Sequence, residues 1–292
     1  MSRMQKKRQK SKNNAAPPTP SPTMLFQRGD YQGVISALSE RMKNTAIVSD
    51  EEKRLLSRSV IRLNDTSRLA EALNYSSAIQ KKDIYDYVRI GWCYLQLEDW
   101  QNAANAFEEA IKLDANYPPP YRLLAFAYSK GQKDYEWSKE TKQQVESLLR
   151  RAINIPDCDI ETFLWLEELQ DWSVAGIQER IKILDKALQN HPDNEKARYK
   201  LAERYIYRTE DVSKGLSVLE PFLQFNSSKQ TALWLAYEAH LKLENYRAAL
   251  EQLDKLIAEN NIPQLRIIKG IELIKRKEFE DARNFFCERI AR

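Results

Sequence analysis

Adjacent carboxylates stand at Glu108-Glu109 and Glu167-Glu168, the residue type that general acid–base chemistry requires. Both pairs fall inside helical patterns, where neighbours in sequence point to different sides. They are therefore expected to be solvated helix faces. Histidine occurs only at His191 and His240, too few for most His-based triads or metal sites. His191 precedes Pro192-Asp193 and is placed to end a helix. The three cysteines, Cys93, Cys158 and Cys287, are odd in number and widely spaced. They show neither a disulfide framework nor metal-ligand spacing, which suits a reducing cytosol. Cys93 follows Trp92 within a helical pattern and reads as a small packed hydrophobe. The seven glycines form no phosphate-binding loop and no nucleophile elbow. The expectation is a chain that is not an enzyme and has no cofactor, no metal and no small-molecule substrate.

Charge is the other chemical signal, and it is unevenly placed. Residues 1–23 carry Arg3, Lys6, Lys7, Arg8, Lys10 and Lys12 with no acid, a charge of +6. The whole chain is +4, so residues 24–292 carry −2. The pI of 8.7 belongs to the leader and not to a basic face elsewhere. The leader continues through Asn13-Asn14-Ala15-Ala16 into Pro17-Pro18-Thr19-Pro20-Ser21-Pro22. Such a segment cannot bury enough apolar surface to offset its ordering entropy, so residues 1–23 are expected to be disordered. Lys6, Lys7, Arg8, Lys10 and Lys12 are a candidate contact for nucleic acid or an anionic membrane. No apolar run approaches the ~18 residues of a membrane span, and no apolar segment follows the basic start to make a secretory signal. A cytoplasmic location is expected.

The remaining residues, 24–292, read as helices that pair. Between Ile84 and Tyr117, Tyr87, Ile90, Gly91 and Tyr94 share one helical face. After Glu98-Asp99 a second face carries Ala103, Phe107 and Ala110, and Ala115 closes the unit. Gly91, Ala103 and Ala110 let two antiparallel helices approach closely, while Tyr87, Tyr94 and Phe107 fill the space around them. An aromatic followed three residues on by a small residue recurs at Trp100–Ala103, Tyr246–Ala249 and Phe279–Ala282. Earlier helices are expected at about Ser49–Leu63, capped by Ser49 or Asp50, and about Ser67–Ile79. Tyr121, Leu124, Ala125 and Tyr128 open the next pair. Its second helix resumes late, at Val145, Leu149 and Ala152, which predicts an inserted loop at about 129–140. Further pairs follow to the end, with Pro221 expected to kink one helix.

This spacing resembles the tetratricopeptide repeat, with 84–117 as the best unit and Ala115 in place of the family's closing proline. The resemblance implies an all-α, right-handed superhelical solenoid of about seven antiparallel helical hairpins over residues 24–292. It also implies a concave groove lined by the first helix of each hairpin. Carried over unit by unit, it aims Tyr85, Val88, Trp92 and Leu95 at that groove. Arg122 and Phe126 follow, then Trp165, then Lys196, Tyr199, Glu203 and Ile206. Trp234, Tyr237 and His240, and finally Ile267 and Ile271, complete the set. Relatives that clamp the carboxylate tail of heat-shock chaperones use Lys and Asn where this chain has Val88 or Trp234 and Trp92, Phe126 or Tyr237. A carboxylate tail is thus a poor candidate ligand.

These positions are rich in aromatics, the residue type that supplies binding hot spots. They either receive a partner or pack against the chain's own second helices. The function implied is a non-catalytic protein–protein interaction module, an adaptor, scaffold or chaperone, holding an apolar or amphipathic partner segment. The alternative is a regulator brought to nucleic acid or anionic membrane by its basic tail.

Overall fold

The computed structural model describes residues 20–43, 47–130, 137–224, 229–259, 263–278, 280–282 and 285, and no strand occurs among them. The basic cluster Lys6–Lys12 and Cys287 lie outside the described residues. The chain divides into two compact units, Met1–Pro156 and Asp157–Arg292.

The first unit holds four hairpins: α1 (Pro22–Gln27) with α2 (Tyr31–Lys43), α3 (Asp50–Arg62) with α4 (Leu69–Ser77), α5 (Ile84–Gln96) with α6 (Trp100–Leu113), and α7 (Pro119–Lys130) with α8 (Lys139–Ala152). Pro22 and Thr23, expected in the leader, instead begin α1, because the Ser21 hydroxyl accepts the Met24 N–H at 3.3 Å and Pro suits a first helical turn. The expected loop at 129–140 is shorter at both ends: Ser129 and Lys130 finish α7, and Lys139 and Glu140 start α8.

The second unit holds α9 (Ile160–Leu169) with α10 (Val174–Asn190), α11 (Glu195–Arg208) with α12 (Val212–Gln224), α13 (Lys229–Lys242) with α14 (Tyr246–Glu259), and α15 (Pro263–Lys275). Pro221 sits in the last turn of α12, which ends three residues later. Seven complete hairpins are thus present among the described residues.

Local chemistry sets the boundaries. Ser49 caps α3 and Asp83 caps α5, each in a reciprocal capping box, with Glu52 and Asp86 respectively. Within hairpins the turn repeats one backbone device. Glu98, Glu244 and Lys277 all adopt positive φ, between 57° and 63°, where Gly29 has 77°. The residue after each donates its N–H five residues back, Asp99 to Tyr94 at 2.9 Å and Asn245 to His240 at 2.9 Å. This closes the helix as a Schellman motif.

Packing inside hairpins follows the small-residue logic. A Cβ placed on Gly91 would lie 2.5 Å from Phe107 Cε1, so only glycine lets α5 seat against that ring. The α3–α4 pair, whose sequence lacks the aromatic-and-small signature, uses serine. Ser57 and Ser76 are fully buried with their hydroxyls 2.6 Å apart, each satisfying the other. Successive first helices also touch directly, as α1 does α3, α5 does α7, and α11 does α13.

Candidate protein-binding groove

In the first unit, α5 presents Tyr85, Val88, Arg89 and Trp92 on one face, and α7 presents Arg122 and Phe126. Tyr85 is 58% exposed and Phe126 37%. Each is held at one edge by another ring. Tyr85 meets Tyr117 edge-on at 5.6 Å between centroids, and Phe126 meets Trp100 edge-on at 6.4 Å. The Lys130 ammonium lies 5.8 Å above the Phe126 ring. These contacts fix the rings while leaving apolar surface open. Val88 and Arg122 are half-buried. Trp92 is half-buried too, packed against the core built around Leu56, Val60 and Cys93. Leu95 is buried, so it supports the hairpin and does not line the groove.

Charge in this face is organised around Asp86, which has no exposed surface. Arg54 of α3 reaches it at 2.8 Å and Arg89 at 2.8 Å. Burial pushes the Asp86 carboxyl up, but hydrogen bonds from Arg54, the Asp83 backbone and Arg89 outweigh this and hold it below its ordinary value.

The second unit offers a different surface. Lys196, Tyr199 and Glu203 of α11, with Thr231 and Leu235 of α13, line a recess of about 490 Å³. Tyr199 stacks at a tilt on Phe222, 5.3 Å between centroids. Ile206 is fully buried, as Leu95 is. Tyr237 also departs from expectation. It is 3% exposed and belongs to the core with Leu233, Leu253 and Leu265, and burial pushes its hydroxyl up to about 12. Its partner ring Trp234, 5.3 Å away, is half-buried at the edge of the same core. Trp165 and His240 are half-buried, and burial lowers the His240 pKa below its ordinary value. Ile267 and Ile271 stand exposed, joined by Ile274 at the same helical spacing on α15.

The chemistry-bearing residues fall into two groups. Glu108 accepts the Tyr128 hydroxyl at 2.7 Å, Glu109 pairs with Lys112, and Glu168 pairs with Lys200, all on the surface. Glu167 does not follow the surface expectation. It is fully buried, and Arg180 at 2.8 Å, Arg204 at 3.0 Å and Lys200 at 3.0 Å surround it. Trp172 covers two of these arginines, with Arg180 4.0 Å and Arg204 4.8 Å from its ring centre. Sequence spacing held no sign of this cluster, because its members come from three helices. His191 closes α10 as expected, its Nε2 2.7 Å from the Cys158 carbonyl. Cys93 is fully buried, and burial pushes its thiol up to about 11, away from reactivity. No cluster of metal-ligating side chains occurs among the described residues.

Paired helices stacked through small residues, with first helices side by side, define a helical-repeat protein. Residues 85–117 match the tetratricopeptide repeat family. That stretch is a tetratricopeptide repeat. No curated protein matches it. Among solved structures it is similar to the C-terminal part of a repeat protein from Cytophaga hutchinsonii, 12% identical, with a TM-score of 0.63 over 84% of this chain and 96% of that one. A tetratricopeptide repeat protein from Parabacteroides merdae is also 12% identical, with a TM-score of 0.47 over 86% and 96% of the two chains. The tetratricopeptide-repeat protein YrrB is 16% identical, with a TM-score of 0.49 over 73% and 100%. The Cytophaga likeness speaks for the fold alone.

Proposed function

We propose that the protein is a non-catalytic interaction module that holds a segment of another protein against the first-helix face of α5 and α7. The observation that carries this is the pair of braced, solvent-facing rings Tyr85 and Phe126, with Trp92 and Arg122 on the same faces. A ring fixed by a neighbour loses little conformational entropy on binding, and aromatic and arginine side chains contribute most at interfaces. The face suits an apolar or amphipathic segment, and the role is that of an adaptor, scaffold or chaperone. No helix among the described residues is long and apolar enough to cross a membrane.

The test is affinity capture from native lysate with the full chain and with Tyr85→Ala plus Phe126→Ala. Both side chains lie outside the core, so the variant is expected to keep its circular dichroism and melting temperature. Each truncation is expected to cost about 2 kcal/mol of binding, enough to lose a specific partner. A folded variant that retains its partners unchanged would falsify the proposal. Tyr237 is unsuitable for this purpose, because removing a core ring costs about 3–5 kcal/mol of stability.

A further inference from the structure

We propose that the first unit has a second docking surface, on its second-helix side between α6 and α8. Its occupant is an amphipathic helix of another protein, with Lys or Arg at one end of the apolar face and Asp or Glu at the other. A recess of about 650 Å³ lies there over α7. Its floor is apolar: the buried Leu124 of α7, flanked by the half-buried Ile111 of α6 and Leu148 of α8. A cavity of this size, with an apolar floor and a few polar groups at its rim, has the character of a binding site. Its two ends differ in charge. Tyr128 marks the acidic end, where its hydroxyl donates to Glu108 at 2.7 Å and Glu140 stands in the first turn of α8. Neither carboxylate has a salt bridge among the described residues. Tyr121 marks the basic end. The Arg151 guanidinium lies 5.0 Å over its ring and donates to its hydroxyl at 3.3 Å, with no carboxylate partner among the described residues. Lys112 lines the recess as well, but Glu109 balances it at 2.6 Å. Tyr121 and Tyr128 are two helical turns apart, so the two ends are separated by about 10 Å along α7.

That length and those charges select the occupant. Both walls are helices whose backbone groups are already bonded. An extended segment would leave its own N–H and C=O groups unpaired over the apolar floor, whereas a helix satisfies them internally. Two turns of such a helix span the same distance of about 10 Å on one face. A cation at one end then meets Glu108 and Glu140, a carboxylate at the other meets Arg151, and the apolar side chains between them rest on Ile111 and Leu148. The chain's own leader does not fit. Residues 1–23 carry six positive charges and no acid, so they would leave Arg151 unmatched.

The experiment uses three fluorescein-labelled helical peptides with the same Leu positions. One carries Arg and Glu two turns apart on the Leu face, one carries Arg at both places and one carries Glu at both. Fluorescence anisotropy with the full chain is expected to favour the mixed peptide over each of the others by at least roughly tenfold. Arg151→Glu makes both ends acidic and is expected to move the preference to the Arg peptide. Ser147→Trp fills the recess from an exposed position on α8 and is expected to abolish binding of the mixed peptide with the circular dichroism unchanged. If Arg151→Glu fails to fold, Ser147→Trp decides alone. Equal affinity for the three peptides, a preference for either single-charge peptide, no binding of the mixed one, or binding that survives Ser147→Trp overturns the proposal. Tyr85→Ala plus Phe126→Ala is expected to leave the mixed peptide bound. Its loss in that variant would place the peptide on the α5–α7 face, which overturns this second surface and leaves the first standing.

Discussion

Glu167 is the residue on which the second unit is most exposed to change. Burial raises the cost of its charge, yet hydrogen bonds from Lys200 and Arg180 and the field of Arg204 hold its pKa below the ordinary 4.5. A carboxyl depressed in the folded state stabilises it fully above its unfolded pKa, and that stabilisation fades as pH falls through the folded value. Replacing one member of a buried ion cluster leaves the others uncompensated, at a cost of about 3–5 kcal/mol. Glu167→Gln is therefore expected to lower the melting temperature strongly at pH 7 and to flatten its dependence between pH 5 and pH 3. A melting curve with unchanged acid sensitivity would show that the cluster adds nothing. The sequence showed Glu167 only as half of an acid pair. Its partners Arg180 and Arg204 lie 13 and 37 residues on, a separation no local pattern spans.

At the scale of elements, the small-residue positions that marked the best repeat are the ones that decide packing. Gly91 has Phe107 where a side chain would go, and overpacking of this kind costs about 1–3 kcal/mol. Gly91→Ala should therefore lower stability, and adding Phe107→Leu should recover part of the loss; a melting temperature unmoved by the first change contradicts the packing. Helix positions were legible because their apolar residues recur at helical spacing and a standard capping side chain stands where one was expected, as at Ser49. The shared turn device was not legible at Glu98, Glu244 and Lys277, since none of these residue types favours positive φ. The exposure of the candidate groove positions was half legible. Spacing placed Tyr85 and Phe126 correctly on an open face, but Leu95, Ile206 and Tyr237 went into the core. Periodicity assigns a residue to a side of its helix and cannot tell whether a neighbouring helix covers that side. Tyr237 is covered because Leu253 of α14 and Leu265 of α15 close over it.

For the whole molecule, function rests on what a repeat array does with surface. In such an array each unit packs only against its neighbours, and the proposed docking face is what α5 and α7 leave exposed at Tyr85 and Phe126. The claim that this face is where another protein docks has one direct test. A photo-crosslinking amino acid replaces Phe126 in the full chain, and a control chain carries it at Ile47, which is 95% exposed between α2 and α3. Irradiation in native lysate is expected to join one discrete protein segment to position 126 and none of it to position 47. Identical products from the two positions, or none from position 126, would contradict a docking groove on α5 and α7.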